Sequence, residues 1–323
     1  MAEDQQSTTD NVVALAISPN GSQVVFGTTD GTLVLWDIDH CQQILDPITA
    51  HKNTINSLWY SPHGEKFISA SDDQTIQLWN TATGLSARDA FEEHSNCVLL
   101  AGFLTDTETE TIVSISKDGT VLVWQVLTGY VKYGFRVSLD SRSLAALSND
   151  CKKIVAVSRD CVTIWDTISA ELTRTLLLET PMALSIGFSS DSSRAVLGLA
   201  ECNLHIWDFD EDNLDPIPLE GHVEHSYYIV WSPDLRTIAA VTLDGTIRIW
   251  DVEKRNCIFG PQQIRGPIAY SPNSNFIVSP GEDGSLGICD ISMVRNLFIV
   301  LQRSHSWLPG ITRFFVIRFR REF

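Results

Sequence analysis

The sequence predicts an all-β chain built by repetition, seven antiparallel blades of four strands each set in a ring, and three observations predict it. One phrase, "DGTLVLWD" from Asp30, returns as "DQTIQLWN" from Asp73, "DGTVLVWQ" from Asp118, "DCVTIWD" from Asp160, "ECNLHIWD" from Glu201, "DGTIRIWD" from Asp244 and "DGSLGICD" from Asp283. Its anchors, Trp36, Trp79, Trp124, Trp165, Trp207, Trp250 and Cys289, lie 43, 45, 41, 42, 43 and 39 residues apart, a fixed period that means a solenoid, a propeller or an array. Each period reads as short runs rich in β-branched and aromatic residues without the i, i+3, i+4 spacing of a useful helix, which excludes helical repeats.

The elements follow in order within a period, as in "TINSLWYSP", "EKFISASDD", "TIQLWN" and "LSARDAF" of the second. In "TLVLWD" both alternating sets, Leu33 with Leu35 and Val34 with Trp36, are apolar, so the strand needs neighbours on both sheet faces. A blade packed between two others supplies them. Ser18-Pro19-Asn20-Gly21, Ser61-Pro62-His63-Gly64 and Ser232-Pro233-Asp234 place proline where a type I turn presets φ, and Asp-Gly at 30, 118, 244 and 283 marks hairpins. The last outer strand is expected at about Arg295 to Leu301, so that the seven blades close without the N-terminus. The chain then divides into a polar extension over 1–10, the propeller over 11–302, and a tail over 303–323.

At 323 residues the chain exceeds the roughly 250–300 at which one hydrophobic core stops growing, which suits a repeat. The formal charge of −17 is uneven: residues 291–323 hold six arginines against one acid, leaving residues 1–290 with 17 bases against 39 acids, or −22. So acidic a body repels phosphate backbones, which argues against nucleic acid. The seven cysteines are scattered and never spaced CxxC, so they are expected as small buried hydrophobes in a reducing compartment rather than as disulfides or zinc ligands. "MAEDQQSTTD" has no apolar leader core and no apolar run approaches the ~18 residues of a span, so a cytoplasmic site is expected, with the nucleus as the other candidate and no membrane.

These residues together resemble the WD40 repeats, a family of β-propellers, over about residues 11–301. In that family a His, a Ser or Thr, the turn Asp and the Trp form a hydrogen-bonded chain. The resemblance implies complete sets in the second blade (His51, Ser69, Asp73, Trp79) and the third (His94, Ser114, Asp118, Trp124), and a partial one in the sixth (His222, Asp244, Trp250, with Ala240 in the Ser place). Phe26 and Ala156 stand in the Ser place of the first and fourth blades, neither of which has the His; Leu197 and Glu201 replace Ser and Asp in the fifth; the seventh ends on Cys289. Blades four, five and seven are therefore expected to be the softer ones. For His51 and His94 the structural role outweighs a catalytic one, because buried polar groups are normally tied up in such networks.

No GxxxxGK[ST], HExxH, GxSxG or GxGxxG occurs, and the innermost strands carry no Asp, Glu, Lys, Arg or His. No catalytic residue, cofactor or metal is expected. What remains is surface. One face carries acidic loops, "DTETE" at Asp106 and "DFDEDNLD" at Asp208, a solvated surface or a docking site for a basic peptide. On the other face the resemblance implies peptide contacts beside the turn Asp and at the start of the first strands, at Lys52, Asn53, Asp72, Asn96, Lys117, Glu224 and Leu243. The tail "RSHSWLPGITRFFVIRFRREF" reads as the start of a truncated further repeat, a basic segment folding back on the acidic body, or a membrane or partner anchor.

The expectation is a monomeric, non-enzymatic protein–protein interaction scaffold whose partners are proteins or peptides, including basic ones. One rival is the WD40 sensor portion of a larger NTPase-type signalling or immune protein. The other is an enzyme, against which the apolar inner strands argue.

Overall fold

The computed structural model describes residues 12–105, 107–139, 144–158, 161–177, 183–199, 204–209, 217–219, 225–264, 266–281, 285–291 and 299–301. These form seven antiparallel sheets and no helix. Blade 3 shows the plan: Val98–Leu104, Thr111–Ser116, Thr120–Gln125 and Val131–Arg136 pair in sequence order from the centre outward. The first strands of all seven blades, beginning with Val12–Ile17 and Ile55–Tyr60 and ending with Ala269–Tyr270, touch their neighbours in turn around the axis, the last against the first. That sequence of contacts is a closed ring of seven blades.

The core is divided among the blade interfaces. Leu33 and Leu35, fully buried, pack with Ile55, Leu58 and Phe67 of blade 2, whereas Val34 and Trp36 of the same strand pack with Val278, Leu286 and Ile288 of blade 7. This is the two-sided burial that the apolar alternation of "TLVLWD" demands. An apolar cluster of this kind lies between every adjacent pair, so each blade is stabilised mainly by its two neighbours.

Turn chemistry sets the register. The Ser-Pro turns close as expected, Gly21 N–H donating to Ser18 O at 2.8 Å and Gly64 N–H to Ser61 O at 2.8 Å. The Asp-Gly sites at 30, 118 and 244 are three-residue hairpin loops with the glycine left-handed: Gly119, at φ 79°, donates its N–H to Ser116 O at 3.1 Å, while the site at 283 lies outside the described residues. Blade 2 keeps this conformation without glycine, holding Gln74 at φ 76°.

Among the described residues, the expected four-strand plan is altered most in the outer strands of blades 1 and 2. That of blade 1 is split into Gln42–Gln43 and Ile48–Thr49, and that of blade 2 shrinks to bridges at Phe91 and Ser86. Between those bridges Arg88 turns away, its guanidinium donating to Val126 O of blade 3 and lying 4.5 Å from the Phe91 ring centre. Backbone pairing continues beside it, Ala87 N–H donating to Leu78 O at 2.7 Å. Blade 7 takes its outer strand from Ile299–Leu301.

The cysteines need a correction. Only Cys151 and Cys289 are buried among the described residues, while Cys41, Cys97, Cys161 and Cys257 are half-buried because they sit in turns, at a strand start or on an outer strand. Cys202 lies outside the described residues.

Candidate functional site

The repeat's polar residues converge on one end of each blade. In blade 2 the indole N–H of Trp79 donates to Ser69 Oγ at 2.9 Å, Ser69 Oγ lies 2.7 Å from His51 Nε2, and His51 Nδ1 lies 3.0 Å from Asp73 Oδ2. One neutral tautomer satisfies every link: Nδ1–H donates to the carboxylate and Nε2 accepts the Ser69 hydroxyl. Blade 3 repeats it, Trp124 Nε1 to Ser114 Oγ at 2.8 Å and Ser114 Oγ to His94 Nε2 at 2.7 Å. There the third link differs, since His94 Nδ1 is 2.9 Å from Thr120 Oγ1 and 3.7 Å from Asp118 Oδ2.

Each Asp caps its turn. Asp73 accepts the N–H of Lys52 at 3.0 Å and the N–H and hydroxyl of Thr75 at 3.0 and 2.7 Å; Asp118 accepts Ser95 N–H at 2.9 Å and Thr120 N–H at 2.8 Å. Burial alone would raise these carboxyls, but hydrogen bonds outweigh it: those of His51, Thr75 and Lys52 hold Asp73 far below the usual range, and those of Thr120 and Ser95 hold Asp118 at about 2. His94 is pushed below its ordinary value by burial, against the pull of Asp118. Thr75 and Thr120 are members that reading the sequence for tetrads alone misses. The signal was present, because Thr follows the Asp by two residues in the phrases at 30, 73, 118 and 244.

The incomplete blades show the cost. Trp36 of blade 1 and Trp165 of blade 4 bury their indole N–H with no hydrogen-bond partner among the described residues, where Phe26 and Ala156 replace the serine. In blade 6 Asp244 still caps its turn through Thr246, at 3.0 Å to N–H and 2.7 Å to hydroxyl, and Trp250 is fully buried beside Ala240. His222 lies outside the described residues, as do Asp160, Glu201 and Asp283.

Around the turn Asp residues, Lys52, Asn53, Asn96 and Lys117 are exposed, Lys52 and Asn53 in the loop entering blade 2 and Asn96 and Lys117 on blade 3. Asp72 is tied in, accepting from Asn56 Nδ2 at 2.8 Å while Asn56 also reaches Val98 O of blade 3 at 2.9 Å. Cys97 sits against this group, its thiol raised by burial and then by Asp72. Leu243, 64% exposed, stands apart on blade 6, and Glu224 lies outside the described residues.

The first strands carry apolar residues, small polar ones such as Asn56, Ser57 and Ser185, and tyrosines. Tyr228 of blade 6 donates its hydroxyl to Val13 O of blade 1 at 3.1 Å, reaching past blade 7, whose first strand has two residues. Burial pushes that hydroxyl up to about 12. On the opposite face Glu108 and Glu110 are exposed, Glu110 paired with Lys66 at 2.6 Å; Asp208 is half-buried, and the other acids of both loops lie outside the described residues.

A closed ring of antiparallel blades, fastened by buried Trp–Ser–His–Asp chains, defines a repeat β-propeller. Three stretches, residues 4–37, 41–80 and 217–251, match the family described as WD domain, G-beta repeat. The chain is a seven-bladed β-propeller that carries WD40 repeats in these three stretches. It is 26% identical over 169 residues to target of rapamycin complex subunit wat1 of Schizosaccharomyces pombe, covering 50% of this chain and 53% of that one. With autophagy-related protein 16 of Arabidopsis thaliana it shares 24% over 185 residues, 56% of this chain and 36% of that one. Nuclear distribution protein PAC1 of Arthroderma otae is 23% identical over 212 residues, 60% of this chain and 45% of its own. The matches thus span about half the length of these relatives or less.

Proposed function

We propose that this propeller is a non-enzymatic, monomeric scaffold that holds partner proteins through its loops. WD40 propellers bind other proteins, and one of the relatives is by name a subunit of a complex. The observation that carries the reading is the chemistry of the inner ring: its first strands, "VVALAI", "INSLWY", "VLLAGFL", "LAAL", "ALSIGF", "SYYIVW" and "AY", hold no carboxylate, imidazole or amine to move a proton. His51 and His94 are spent inside their blades. Cysteines scattered without CxxC spacing, with Cys151 and Cys289 buried as thiols, support a cytoplasmic or nuclear site, and the −17 charge supports proteins rather than nucleic acid as partners.

The test is affinity purification with mass spectrometry on the full chain beside a Lys52→Glu/Lys117→Glu variant, both side chains being exposed. Reproducible partner proteins support the scaffold reading, and those lost with the variant use the face around the turn Asp residues. Turnover of a small molecule, abolished by substituting one channel residue, would overturn it.

A further inference from the structure

Of the seven large apolar side chains that stand exposed among the described residues, six belong to blades 2, 3 and 4, which are consecutive in the ring. Four of these, Leu85, Leu127, Tyr130 and Ile168, lie at the turns joining third strand to outer strand, and Leu172 follows at the start of the outer strand of blade 4, all toward the face opposite the turn Asp residues. Exposed leucines scattered singly mean nothing; a run along three adjacent blades is a patch.

The molecule contains its own control. Blades 1 to 4 and 6 all make this turn the same way, with a buried second residue (Ile38, Thr81, Val126, Thr167) or a half-buried one (Val252), and an exposed third and sixth. In every case the fifth is left-handed: Cys41 at φ 49°, Gly84 at 65°, Gly129 at 76°, Ala170 at 60° and Arg255 at 58°. At the exposed third and sixth positions blade 1 has Asp39 and Gln42, and blade 6 has Glu253 and Asn256. Blade 3 has Leu127 and Tyr130 at the same two places, with Leu85 at the sixth of blade 2 and Ile168 at the third of blade 4. The turn therefore does not require apolar side chains, and their presence on three neighbours needs another cause.

The patch is also held rigid. Asn80 Oδ1 accepts the N–H groups of Ala82 and Thr83 at 3.1 and 3.0 Å, and Asp166 Oδ1 those of Ile168 and Ser169 at 2.9 and 2.8 Å. Arg88 of blade 2 lies so close to Gly129 that a Cβ there would meet its guanidinium, which ties the first two turns together. A rim fixed in this way cannot fold its leucines inward, and an ordered partner meets it with little loss of loop entropy.

We infer that the rim of blades 2 to 4 is a docking surface for a segment of a second protein, apolar along one side and bordered by lysine or arginine. The border follows from charge. The acidic loop that ends at Glu110 abuts the Leu127 turn, Val126 N–H donating to Glu110 O at 3.0 Å; Glu108 of that loop and Glu171, at the sixth position of the blade 4 turn, are exposed at the same end of their blades. The cations here are engaged within the chain: Lys66 with Glu110, Arg88 with Val126 O, and Lys153 with Ser192 O at 3.0 Å. Lys132 is exposed, against those two acids. The inference rests on the scaffold reading and names its surface and the chemistry of its partner.

The experiment is selection of a random 16-residue peptide display library against the full chain, in parallel with a Leu85→Ser/Leu127→Ser/Tyr130→Ser/Ile168→Ser variant whose cooperative melting is confirmed first. Peptides with an apolar side and flanking Lys or Arg, bound at least tenfold more weakly by the variant, are expected. Selected peptides that bind both proteins equally, or that carry acids, overturn the inference while leaving the scaffold reading standing. Sedimentation showing a dimer that the variant loses, or rim binding by a synthetic peptide of residues 303–323, would assign the surface to this chain itself and overturn it too. The scaffold reading fails separately, by the turnover test above.

Discussion

Ser69→Ala is the substitution by which the buried chain of blade 2 is best weighed. Ser69 is fully buried, and its hydroxyl joins Trp79 Nε1 at 2.9 Å to His51 Nε2 at 2.7 Å. Removing one oxygen opens little cavity, so the effect is almost wholly the cost of leaving an indole N–H and an imidazole nitrogen buried without partners, at about 1–3 kcal/mol each. We expect a loss of about 2–4 kcal/mol. With an unfolding entropy of about 2.1 cal/mol/K per residue, a 323-residue chain would lose about 3–6 °C in Tm. Urea unfolding followed by tryptophan fluorescence and by circular dichroism reads the loss directly. Trp79→Phe supplies a cycle, since Ser69→Ala in that background should cost about 1 kcal/mol less, one of its two orphans being already gone. A loss below about 1 kcal/mol, or additivity within about 0.3 kcal/mol, would refute the view that these hydrogen bonds hold the blade.

Blade 4 offers the reverse experiment: Ala156 pairs with Thr163, two residues before Trp165, the same register as Ser69 with Gln77 and Trp79, so Ala156→Ser should give the orphan indole N–H an acceptor. A gain of about 1 kcal/mol and slower amide exchange in blade 4 are expected, and an unchanged exchange pattern would count against it. For pH, His94 is lowered in the folded state from its ordinary 6.5, so its contribution is intact above that value and is lost as pH falls below it, the unfolded chain taking up the proton first. Asp118, at about 2 against an ordinary 3.8, adds stability that is present above 3.8 and lost as pH falls toward about 2. Proton NMR should place the His94 titration below 6.5; a value above it contradicts the burial argument.

Much of the fold was legible because a repeat writes each constraint several times over. The alternation in "TLVLWD" demanded two apolar neighbours, and the strand has them, Leu33 and Leu35 toward blade 2 and Val34 and Trp36 toward blade 7. In blades 2 and 3 the Trp–Ser–His links close on residues that the repeat writes twice, and where Phe26 and Ala156 stand in the Ser place the structure leaves the indoles of Trp36 and Trp165 as orphans, a consequence the sequence reading did not draw. What was not legible depends on contacts distant in sequence. Nothing in "LSARDAF" says that the Arg88 side chain will reach Val126 O of the next blade, since that needs the blade 3 turn already in place. Nor does a cysteine's letter say whether it falls on a third strand between two blades, like buried Cys289, or on an outer strand, like half-buried Cys257.

The two ends of each blade answer to different demands, and this is why the scaffold could be read more easily than its surface. At the turn Asp end the tetrad side chains face inward: Asp118 accepts from Ser95 and Thr120, and His94 closes on Ser114, so a change in one of them opens an unpaired buried group. At the other end the five matching turns hold their shape through backbone hydrogen bonds and a capping residue, leaving the third and sixth side chains with no structural work. Glu253 and Leu127 occupy equivalent places on the same backbone. Chemistry at such positions is free to follow a partner, and a leucine kept in water there carries information about binding that a leucine in the core cannot.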